Sequence, residues 1–399
     1  MRILMISPQP FLEPRGTPIS VFQRIRGLTA LGYTVDLVTY HIGQDVAIEG
    51  LTIYRIPRVP FIRQIKVGPS APKILLDLLI FWKAFILLMT RPYDVVHSHE
   101  EAAYFSGLLA KLFRTRHVYD MHSSLPRQLR NFNYGNIWPV VQIFEQLELR
   151  AIRGADAIIT IGCDLERHVR SVSATVKLVN IDNLAMQDGA GGGAAALAAQ
   201  LAERLGLAGR QIILYTGTFE RYQGVEMLIA SAKLVRDQHP EAVFLLAGGR
   251  PQQIKRCEAE VQRQGLEDTV RFVGTIPIND LSPYLELASV LVSPRIEGTS
   301  VPLKIYTYLQ SGKPIVATSL SAHTLVLSDE YAVLTEPEPR AFAAGIARLM
   351  GDPELRHRLG HKGLQIARER YDPALYMAKL RDVYRTLEVD RIPEHTVVS

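Results

Sequence analysis

The sequence contains little cysteine, which excludes two kinds of scaffold. Its 399 residues include two cysteines, Cys163 and Cys257, which lie far apart and form no Cys-x-x-Cys motif. Neither a disulfide framework nor a cysteine metal site is therefore expected, and a reducing, cytoplasmic location fits this composition. The N-terminus has the apolar pattern of a strand, Arg2–Ser7, and lacks the pattern of a secretory signal.

Long apolar runs and strong charge are also missing. No window reaches about 18 uninterrupted apolar residues, so no membrane-spanning helix is predicted. The net charge is +5. This mild basic excess favours anionic partners such as nucleotide diphosphates, lipid phosphates or an anionic membrane surface. The charge is too small and too evenly spread to indicate nucleic-acid binding.

The patterns that are present indicate an α/β protein. Hydrophobic residues make up 47% of the chain and charged residues 21%, a balance that predicts globular domains rather than disorder. The strand Arg2–Ser7, a helix beginning near Pro18 and the strand Thr34–Thr39 form a Rossmann-like opening. No Gly-x-Gly-x-x-Gly motif is present, so the opening does not imply a dinucleotide.

Residues 291–318 contain the most informative pattern. A strand is followed by a polar loop, a helix predicted over Leu303–Gln310 and a second strand over Ile315–Thr318. Ligands of parallel sheets bind beyond the carboxyl ends of the strands, so the loop 293–302 is expected to face a ligand. Its backbone N–H groups would suit a phosphate. Glu297 either faces that ligand or is a solvated surface residue.

This region resembles a known family. The Glu-Gly-x-x-x-Pro pattern of Glu297–Pro302, followed by the Gly-Lys-Pro-Ile-Val-Ala-Thr of Gly312–Thr318, is similar to the donor-binding region of family 4 glycosyltransferases with the GT-B fold. The resemblance implies two Rossmann-like domains facing across a cleft, with a C-terminal helix crossing back to the first. It also implies a retaining enzyme that uses a nucleotide sugar as substrate and needs neither metal nor cofactor.

The composition changes once along the chain. Residues 188–199 are rich in glycine and alanine, and this predicts a flexible junction. We therefore predict an acceptor-binding domain over 1–184 and a nucleotide-sugar-binding domain over 185–372. A crossover helix and tail over 373–399 would pack on the first domain.

The resemblance also implies roles for individual residues. Glu297 would bind sugar hydroxyls and stabilise the developing oxocarbenium charge, and His122 would line the reacting centre unless it only stabilises the core or a loop. Gly16 either allows a ligand to approach the backbone or is a turn glycine. The donor-binding residues implied in this way are Gly16, Thr17, Gly217, Thr218, Arg221, Gln223, Gly249, Arg295, Gly298, Thr299, Ser300, Val301, Pro302, Lys304 and Thr307.

The sequence departs from the family pattern at the diphosphate. Family members carry two cations where this chain has Thr218 and Gln223. Diphosphate binding normally requires charge-assisted hydrogen bonds. We expect Arg221, Lys304 or Arg295 to supply the missing charge.

A second departure concerns the nucleotide ribose. The family places a second glutamate where this chain has Ile305 or Thr307, depending on the direction of counting. The usual carboxylate contact with the ribose is therefore absent. We still expect Thr307 to contact the ribose through its hydroxyl group.

A histidine-rich strand is predicted in the first domain. His97 and His99 point to the same side of this strand because the period of a strand is two. No third ligand follows at suitable spacing, so a metal site is not predicted. His99 and Asp120 are candidates for the acceptor side, although Asp120 equally suits the core, and His97 is expected to be a core residue.

Residues 58–90 suggest contact with a membrane. Basic and apolar residues alternate at the start of this segment, and Ile74–Thr90 is an apolar helix interrupted only by Asp77 and Lys83. The helix is either buried between the sheet and its neighbours or lies partly on the inner face of a membrane.

The most direct interpretation is a glycosyltransferase that acts on a glycan or a lipid-linked acceptor of the cell envelope. A sugar epimerase or a phosphorylase with the same architecture is one alternative, and no lysine stretch suits the pyridoxal phosphate of a phosphorylase. The other alternative is a non-catalytic binding protein that has lost affinity for a donor, which Thr218 and Gln223 favour and Glu297 and His122 disfavour.

Overall fold

The chain forms two compact units. In the computed structural model, the first unit comprises Met1–Asn183 and Pro373–Ser399, and the second comprises Leu184–Asp372. The structure describes residues 1–13, 16–62, 65, 71–131, 138–185, 193–277, 280–298 and 300–389.

The first unit contains a seven-stranded parallel sheet. In chain order its strands are β1 (Arg2–Ser7), β2 (Thr34–Thr39), β3 (Leu51–Arg55), β4 (Val95–His99), β5 (Arg116–Met121), β6 (Ala157–Thr160) and β7 (Lys177–Asn180). They are arranged in the order β3-β2-β1-β4-β5-β6-β7. The helices between them are α1 (Gly16–Ala30), α2 (Ala71–Thr90), α3 (Ala103–Leu112), α4 (Leu125–Asn131), α5 (Trp138–Gly154) and α6 (Cys163–Val172).

The second unit contains a six-stranded parallel sheet. Its strands are β8 (Gln211–Gly217), β9 (Ala242–Gly248), β10 (Val270–Gly274), β11 (Val290–Ser293), β12 (Ile315–Thr318) and β13 (Val333–Thr335), arranged as β10-β9-β8-β11-β12-β13. The helices are α7 (Ala194–Arg204), α8 (Val225–Arg236), α9 (Pro251–Arg263), α10 (Ser282–Leu287), α11 (Lys304–Gln310), α12 (Ser321–Thr324), α13 (Pro339–Gly351) and α14 (Pro353–Arg370).

The last helix, α15 (Pro373–Val389), belongs to the first unit. It packs on α1 and β7, where Leu380 and Tyr384 are fully buried. Gly27 on α1 makes this approach possible, because a Cβ there would lie 2.7 Å from the Leu380 side chain. The predicted return of the C-terminal helix to the first domain is confirmed.

Continuous burial explains the apolar strands. Ile3, Leu4, Met5 and Ile6 of β1 are all 0% exposed, because helices cover both faces of a parallel sheet. The α/β prediction, made from these runs, is confirmed by both sheets.

The prediction of a flexible junction over 188–199 is wrong for its second half. Residues 194–199 lie in helix α7, and 186–192 lie outside the described residues. Alanine is the strongest helix former, so the alanine-rich sequence forms a helix as soon as the glycine run ends at Gly193. Ala198 and Leu201 anchor this helix to the core of the second unit.

Candidate functional site

In the second unit, the loops that follow three neighbouring strands pack against one another through backbone contacts. Gly248 at the end of β9 has φ 118°, and a Cβ built there would lie 1.8 Å from the Gly217 carbonyl oxygen at the end of β8. Gly224, directly before α8, has φ 73°, and a Cβ there would lie 1.9 Å from the carbonyl oxygen of Pro294 after β11. Only glycine fits such approaches. The ligand-binding edge expected of a parallel sheet is thus tightly assembled.

Lys304, the first residue of α11, is a buried cation at this edge. Its side chain is 9% exposed, and its Nζ has no hydrogen-bond partner among the residues that the structure describes. The ammonium group lies 3.9 Å from the centre of the Tyr215 ring, and a Cβ built on Gly217 would lie 3.2 Å from Nζ. Burial, together with the nearby Arg295 cation, holds the pKa of Lys304 well below its usual range. Such a cation is costly without an anionic partner.

Arg295 lies in the loop after β11 and organises it. Its guanidinium donates to the Ser300 carbonyl oxygen and lies 5.0 Å from the centre of the Tyr222 ring. The Arg295 Nε is buried without a hydrogen-bond partner among the described residues, and burial lowers the pKa of Arg295. Gly298 has φ 107° and packs against this guanidinium, where a Cβ would lie 3.2 Å away. Glu297 between them is exposed, which fits both a residue that faces a ligand and a solvated surface residue.

The loop after β8 carries the residues that replace the usual cations. The carbonyl oxygen of Thr218 accepts a hydrogen bond of 2.7 Å from the Tyr215 hydroxyl. The side-chain oxygen of Gln223 is buried and has no hydrogen-bond partner among the described residues. Arg221 is exposed. Gly249, after β9, packs on the Phe219 ring. Of the cations expected to replace the missing pair, Arg221 lies in this loop but is exposed, whereas Lys304 is buried beside Gly217 at the start of the loop.

The remaining predicted donor residues differ in accessibility. Ser300 is exposed and Val301 and Pro302 are partly buried, whereas Thr299 lies outside the described residues. Thr307 on α11 is 3% exposed, which leaves its hydroxyl little room for the ribose contact that was expected.

In the first unit, three histidine rings line up along the strand edge. The rings of His97 and His99 on β4 lie 4.7 Å apart, and those of His99 and His122 lie 5.2 Å apart. His99 Nδ1 and His122 Nε2 share a hydrogen bond of 2.9 Å. Asp120 on β5 accepts from His97 and contacts the other two rings, at 3.8 Å from His99 and 3.4 Å from His122. We call these four side chains the histidine cluster.

A buried arginine neutralises the histidine cluster. Arg24 on α1 donates to the Asp120 carboxylate over 2.7 Å, and both side chains are almost fully buried. Burial would raise the pKa of Asp120, but the Arg24 cation and the imidazoles hold it well below its usual range. Burial lowers the pKa of His122 to about 4, against the opposing effect of Asp120. The ring is therefore neutral at physiological pH.

The reasoning that excluded a metal ligand set was wrong in one respect. Asp120, on the neighbouring strand, brings a third ligand atom within 4.8 Å of His97 and His99. The set nevertheless does not suit a cation, because the Arg24 guanidinium already occupies the Asp120 carboxylate, and His97 also bonds to Tyr384 through Nδ1. A metal ion here would compete with a buried positive charge.

The same contacts revise the expectations for His99 and Asp120. Both side chains are 0% exposed. The Asp120 carboxylate is fully engaged by Arg24 and the imidazole rings. It therefore faces the core, which is one of the two alternatives that the sequence left open. Direct contact of Asp120 with an acceptor would require its bonds to open. His99 lies deeper than His122, and its Nε2 has no hydrogen-bond partner among the described residues but is buried.

Gly16 and Thr17 begin helix α1 at the same strand edge. Gly16 is exposed, and a Cβ built there would meet no atom within 4 Å, so the space beside it is open. Thr17 donates a long hydrogen bond of 3.4 Å to the Glu100 carboxylate. This hydrogen bond connects the start of α1 to the residue that follows β4.

Sequence reasoning missed three residues. Arg24 lies on the buried side of α1, four residues from both Ser20 and Leu28. An arginine at that spacing predicts a buried side chain that needs an acidic partner. Glu100, directly after His99, gave no signal beyond its position at a strand end. His323 bonds Ser293 over 2.8 Å and supports the loop after β11, and its separation in sequence hid this contact.

Helices α2 and α3 present an apolar face outward. On α2, Asp77 turns inward and accepts from Tyr40 over 2.6 Å, and burial raises its pKa to about 7. The opposite side of α2 carries apolar residues that are between 48% and 70% exposed. The helix is therefore not buried on all sides. They are Ile74, Leu75, Leu78, Trp82, Ile86 and Met89, joined by Leu108 and Leu112 of α3. We call these eight residues the apolar face.

Two helices build this face as one surface. The Phe81 and Phe85 rings of α2 contact Phe105 and Phe113 of the α3 segment edge-on. Within the described chain, no helix is long and apolar enough to cross a membrane.

Two family models match the chain. The model for Glycosyltransferase Family 4 matches residues 14–177, and the model for Glycosyl transferases group 1 matches residues 210–352. Together the two matches span most of both units.

Curated relatives are similar at moderate identity. The chain is 24% identical to a phosphatidyl-myo-inositol mannosyltransferase of Mycobacterium leprae over 97% of both chains. It is 27% identical to an alpha-D-kanosaminyltransferase of Streptomyces kanamyceticus over 47% of this chain, and the match spans 49% of that enzyme.

Solved structures share the fold. A sucrose-phosphate synthase of Thermosynechococcus elongatus superposes with a TM-score of 0.76 at 23% identity, covering 98% of this chain and 99% of the other. Anabaena HepE in complex with UDP-glucose gives 0.70 at 16% identity, covering 98% of this chain and 100% of the other. Two parallel sheets with polar loops at their strand ends thus define a protein of the GT-B class. The chain belongs to family 4 of the glycosyltransferases, and it is a glycosyltransferase.

Proposed function

We propose that this protein transfers a sugar from a nucleotide-sugar donor to an acceptor with retention of the anomeric configuration and without a metal ion. The second unit would bind the donor and the first unit the acceptor. The observation that carries the proposal is Lys304, a buried ammonium group beside the exposed backbone of Gly217 that has no hydrogen-bond partner within the described part of the chain.

A diphosphate bound to the loop that follows β8, next to Gly217, would supply the anionic partner that Lys304 lacks among the described residues. Its oxygens would accept from Lys304 and from the free backbone N–H groups at the start of α8, an arrangement that stabilises anions. Arg295 adds a second positive charge to the same edge. These two cations would replace those that Thr218 and Gln223 do not provide, and they would stabilise the departing diphosphate electrostatically.

Glu297 would act on the sugar. It is exposed in the loop after β11, whose backbone is fixed by Arg295 and by the Ile296 N–H, which donates to the Tyr222 carbonyl oxygen over 3.0 Å. A carboxylate in this place would bind donor hydroxyls and stabilise the oxocarbenium charge that develops at the anomeric carbon.

His122 would line the acceptor side of the reaction. Its Nε2 bonds His99 and contacts Asp120, and the ring is neutral because burial lowers its pKa. A neutral imidazole fixed in orientation can bond a hydroxyl or a phosphate.

The acceptor would be lipid-linked and would be met at the inner face of a membrane. The apolar face has no acidic residue among its members, since Asp77 points inward, and Lys111 lies exposed on the same helix as Leu108 and Leu112. Apolar residues flanked by basic ones bind anionic bilayers. The name of the mannosyltransferase relative, which specifies a phosphatidyl-inositol, supports a lipid acceptor.

The test is a transfer assay. The purified protein is incubated with radiolabelled UDP-glucose, GDP-mannose and other nucleotide sugars together with a bacterial lipid extract, with and without EDTA. We expect one donor to label a lipid product in which NMR shows the α configuration of the donor, unchanged by EDTA. A β-linked product, or transfer that EDTA abolishes, would contradict retention or metal independence respectively.

A non-catalytic binding protein remains the second candidate because of Thr218 and Gln223. Restoring both cations, with Thr218→Arg and Gln223→Lys, distinguishes the two. If the native protein binds no donor and the double variant does, the native site is degenerate. If native transfer falls in the double variant, the site is specialised around Lys304.

A further inference from the structure

We propose that the Glu100 carboxylate binds a hydroxyl group of the acceptor at the strand edge of the first unit. This inference rests on the proposed function and makes it more specific, because it names a residue that recognises the acceptor. No sequence motif pointed to Glu100.

Three structural elements converge on this carboxyl group. Glu100 follows β4 directly, at the carboxyl end where ligands of parallel sheets bind. Its Oε2 accepts from Ser123 Oγ over 2.8 Å, in the loop after β5 and next to His122. Its Oε1 accepts from Thr17 Oγ1, on the first turn of α1, over 3.4 Å. The long second bond leaves this oxygen weakly bonded and able to accept a further hydrogen bond.

The backbone at Glu100 is held in an unfavourable conformation. Its φ of 50° lies in the left-handed region, which residues other than glycine seldom adopt. Glu100 and the two residues that follow form a single 3-10 turn, Glu100–Ala102. A glutamate in this conformation positions its side chain at the strand edge at a cost in stability, a pattern typical of functional sites.

The surroundings of Glu100 favour a hydroxyl over a phosphate. Burial and the neighbouring Glu101 raise the pKa of Glu100 to about 8, while Ser123, Lys73 and Thr17 oppose this effect. Lys73 is mainly engaged with Glu101, at 3.6 Å. A carboxylate and its acidic neighbour would repel a diphosphate but accept hydrogen bonds from a polyol. Thr17, which was expected to bind donor, is therefore placed on the acceptor side.

The ionisation of Glu100 gives the proposal a kinetic signature. The carboxylate, rather than the protonated acid, accepts the hydroxyl hydrogen bond, so kcat/KM for the acceptor rises with pH through the pKa of Glu100. Among the described residues, the charged and titratable groups facing it are Glu101, Lys73, Tyr104 and Tyr119, and both tyrosines stay neutral because burial raises their pKa.

The test compares Glu100→Gln with the matched control Glu101→Gln. Transfer is measured between pH 6 and 9 with UDP-glucose or GDP-mannose as donor and myo-inositol, N-acetylglucosamine or octyl β-D-glucoside as acceptor. For E100Q we expect the acceptor KM to rise at least tenfold, the donor KM to stay within twofold, and the rising pH limb to disappear. E101Q keeps the limb but moves it to lower pH, because a repelling charge is removed. An unchanged acceptor KM in E100Q, or equal losses for donor and acceptor, would overturn the proposal.

Thermal melting over the same pH range separates this proposal from the proposed function. A carboxyl group whose pKa is raised in the folded state destabilises the fold as pH rises from its unfolded value towards about 8. E100Q should therefore melt higher than the wild-type protein, by a margin that grows between pH 6 and 9. If none of the donor and acceptor pairs reacts, the proposed function lacks support. The melting temperatures would still show how the ionisation of Glu100 affects stability. A lower melting temperature for E100Q at every pH would assign Glu100 to the fold and refute its role.

Discussion

Replacing Lys304 with methionine should stabilise the protein and weaken its donor binding at the same time. In the wild-type protein the ammonium group is buried, has no hydrogen-bond partner among the described residues, and lies close to the Tyr215 ring, to Gly217 and to the Arg295 cation. Methionine has a similar length and no charge, so Lys304→Met removes the cost of burying the cation. The ligand-free fold should benefit, and an anionic ligand should lose its partner.

The two effects have different expected sizes. Replacing a buried ion pair by apolar side chains of similar volume is often neutral or stabilises proteins by about 1–4 kcal/mol, and we apply the same scale to the single buried charge of Lys304. We expect the lower half of that range, because the cation–π contact with Tyr215 offsets part of the cost. A charge-assisted hydrogen bond contributes about 1.5–3 kcal/mol. Its loss should weaken the binding of a nucleoside diphosphate by roughly 10- to 150-fold.

The pH dependence gives an independent check on Lys304. Because its pKa is lowered on folding, the unfolded chain binds more protons than the folded chain up to the ordinary lysine value. Wild-type stability should therefore gain a contribution as the pH rises towards about 10.5, and K304M should lack it. Diphosphate binding should also raise the pKa of Lys304, so that wild-type binding takes up a proton and K304M binding does not.

Urea unfolding and isothermal titration calorimetry in buffers of different ionisation enthalpy measure these quantities. Lys313→Met is the matched control, since Lys313 Nζ donates to the Glu286 carbonyl oxygen over 2.7 Å and is partly exposed. K313M should lose stability slightly and bind nucleotide as the wild-type protein does. If K304M is less stable than the wild-type protein and binds nucleotide equally well, Lys304 is a structural residue and the reasoning is refuted.

Three further predictions concern the rest of the molecule. Arg24→Met leaves the buried Asp120 charge unpaired and should lower the free energy of unfolding by about 3–5 kcal/mol, measured by urea unfolding; a loss below about 1 kcal/mol would show that the pair is unimportant. Leu78→Ser on the apolar face should reduce sedimentation with phosphatidylglycerol vesicles several-fold, whereas Leu197→Ser, on an exposed site of α7, should not; equal effects would contradict membrane contact through α2. Gly248→Ala should destabilise the second unit and abolish donor binding, because its Cβ would collide with the β8 backbone; an alanine variant that melts and binds normally would contradict the close approach of the two strand ends.

The sequence was sufficient for the elements of the fold because their patterns are local. The strands Arg2–Ser7, Thr34–Thr39 and Ile315–Thr318 begin and end where continuous apolar runs predicted them. Helix α7 was missed because a composition rule for flexible linkers outweighed the helix propensity of alanine. The strand Val333–Thr335 was missed because three residues carry too little pattern.

The candidate site was less predictable because its contacts join distant residues. Arg24 and Asp120 are separated by 96 positions, and only the order of the sheet brings α1 next to β5. The third ligand atom near His97 and His99 was overlooked for the same reason, since spacing along one strand says nothing about the neighbouring strand. The sequence offered Lys304 as one of three candidate replacement cations, but its burial and its lack of a hydrogen-bond partner among the described residues could be recognised only in the folded unit.

The binding of nucleoside diphosphates to the wild-type protein tests the central claim most directly. A calorimetric panel of UDP, GDP, ADP and TDP, each with and without EDTA, should show one nucleotide binding with unchanged affinity in EDTA. That affinity should fall in K304M and persist in K313M. If no nucleotide binds to folded wild-type protein, or if binding requires a divalent metal ion, the account of a metal-independent donor site built on Lys304 is contradicted.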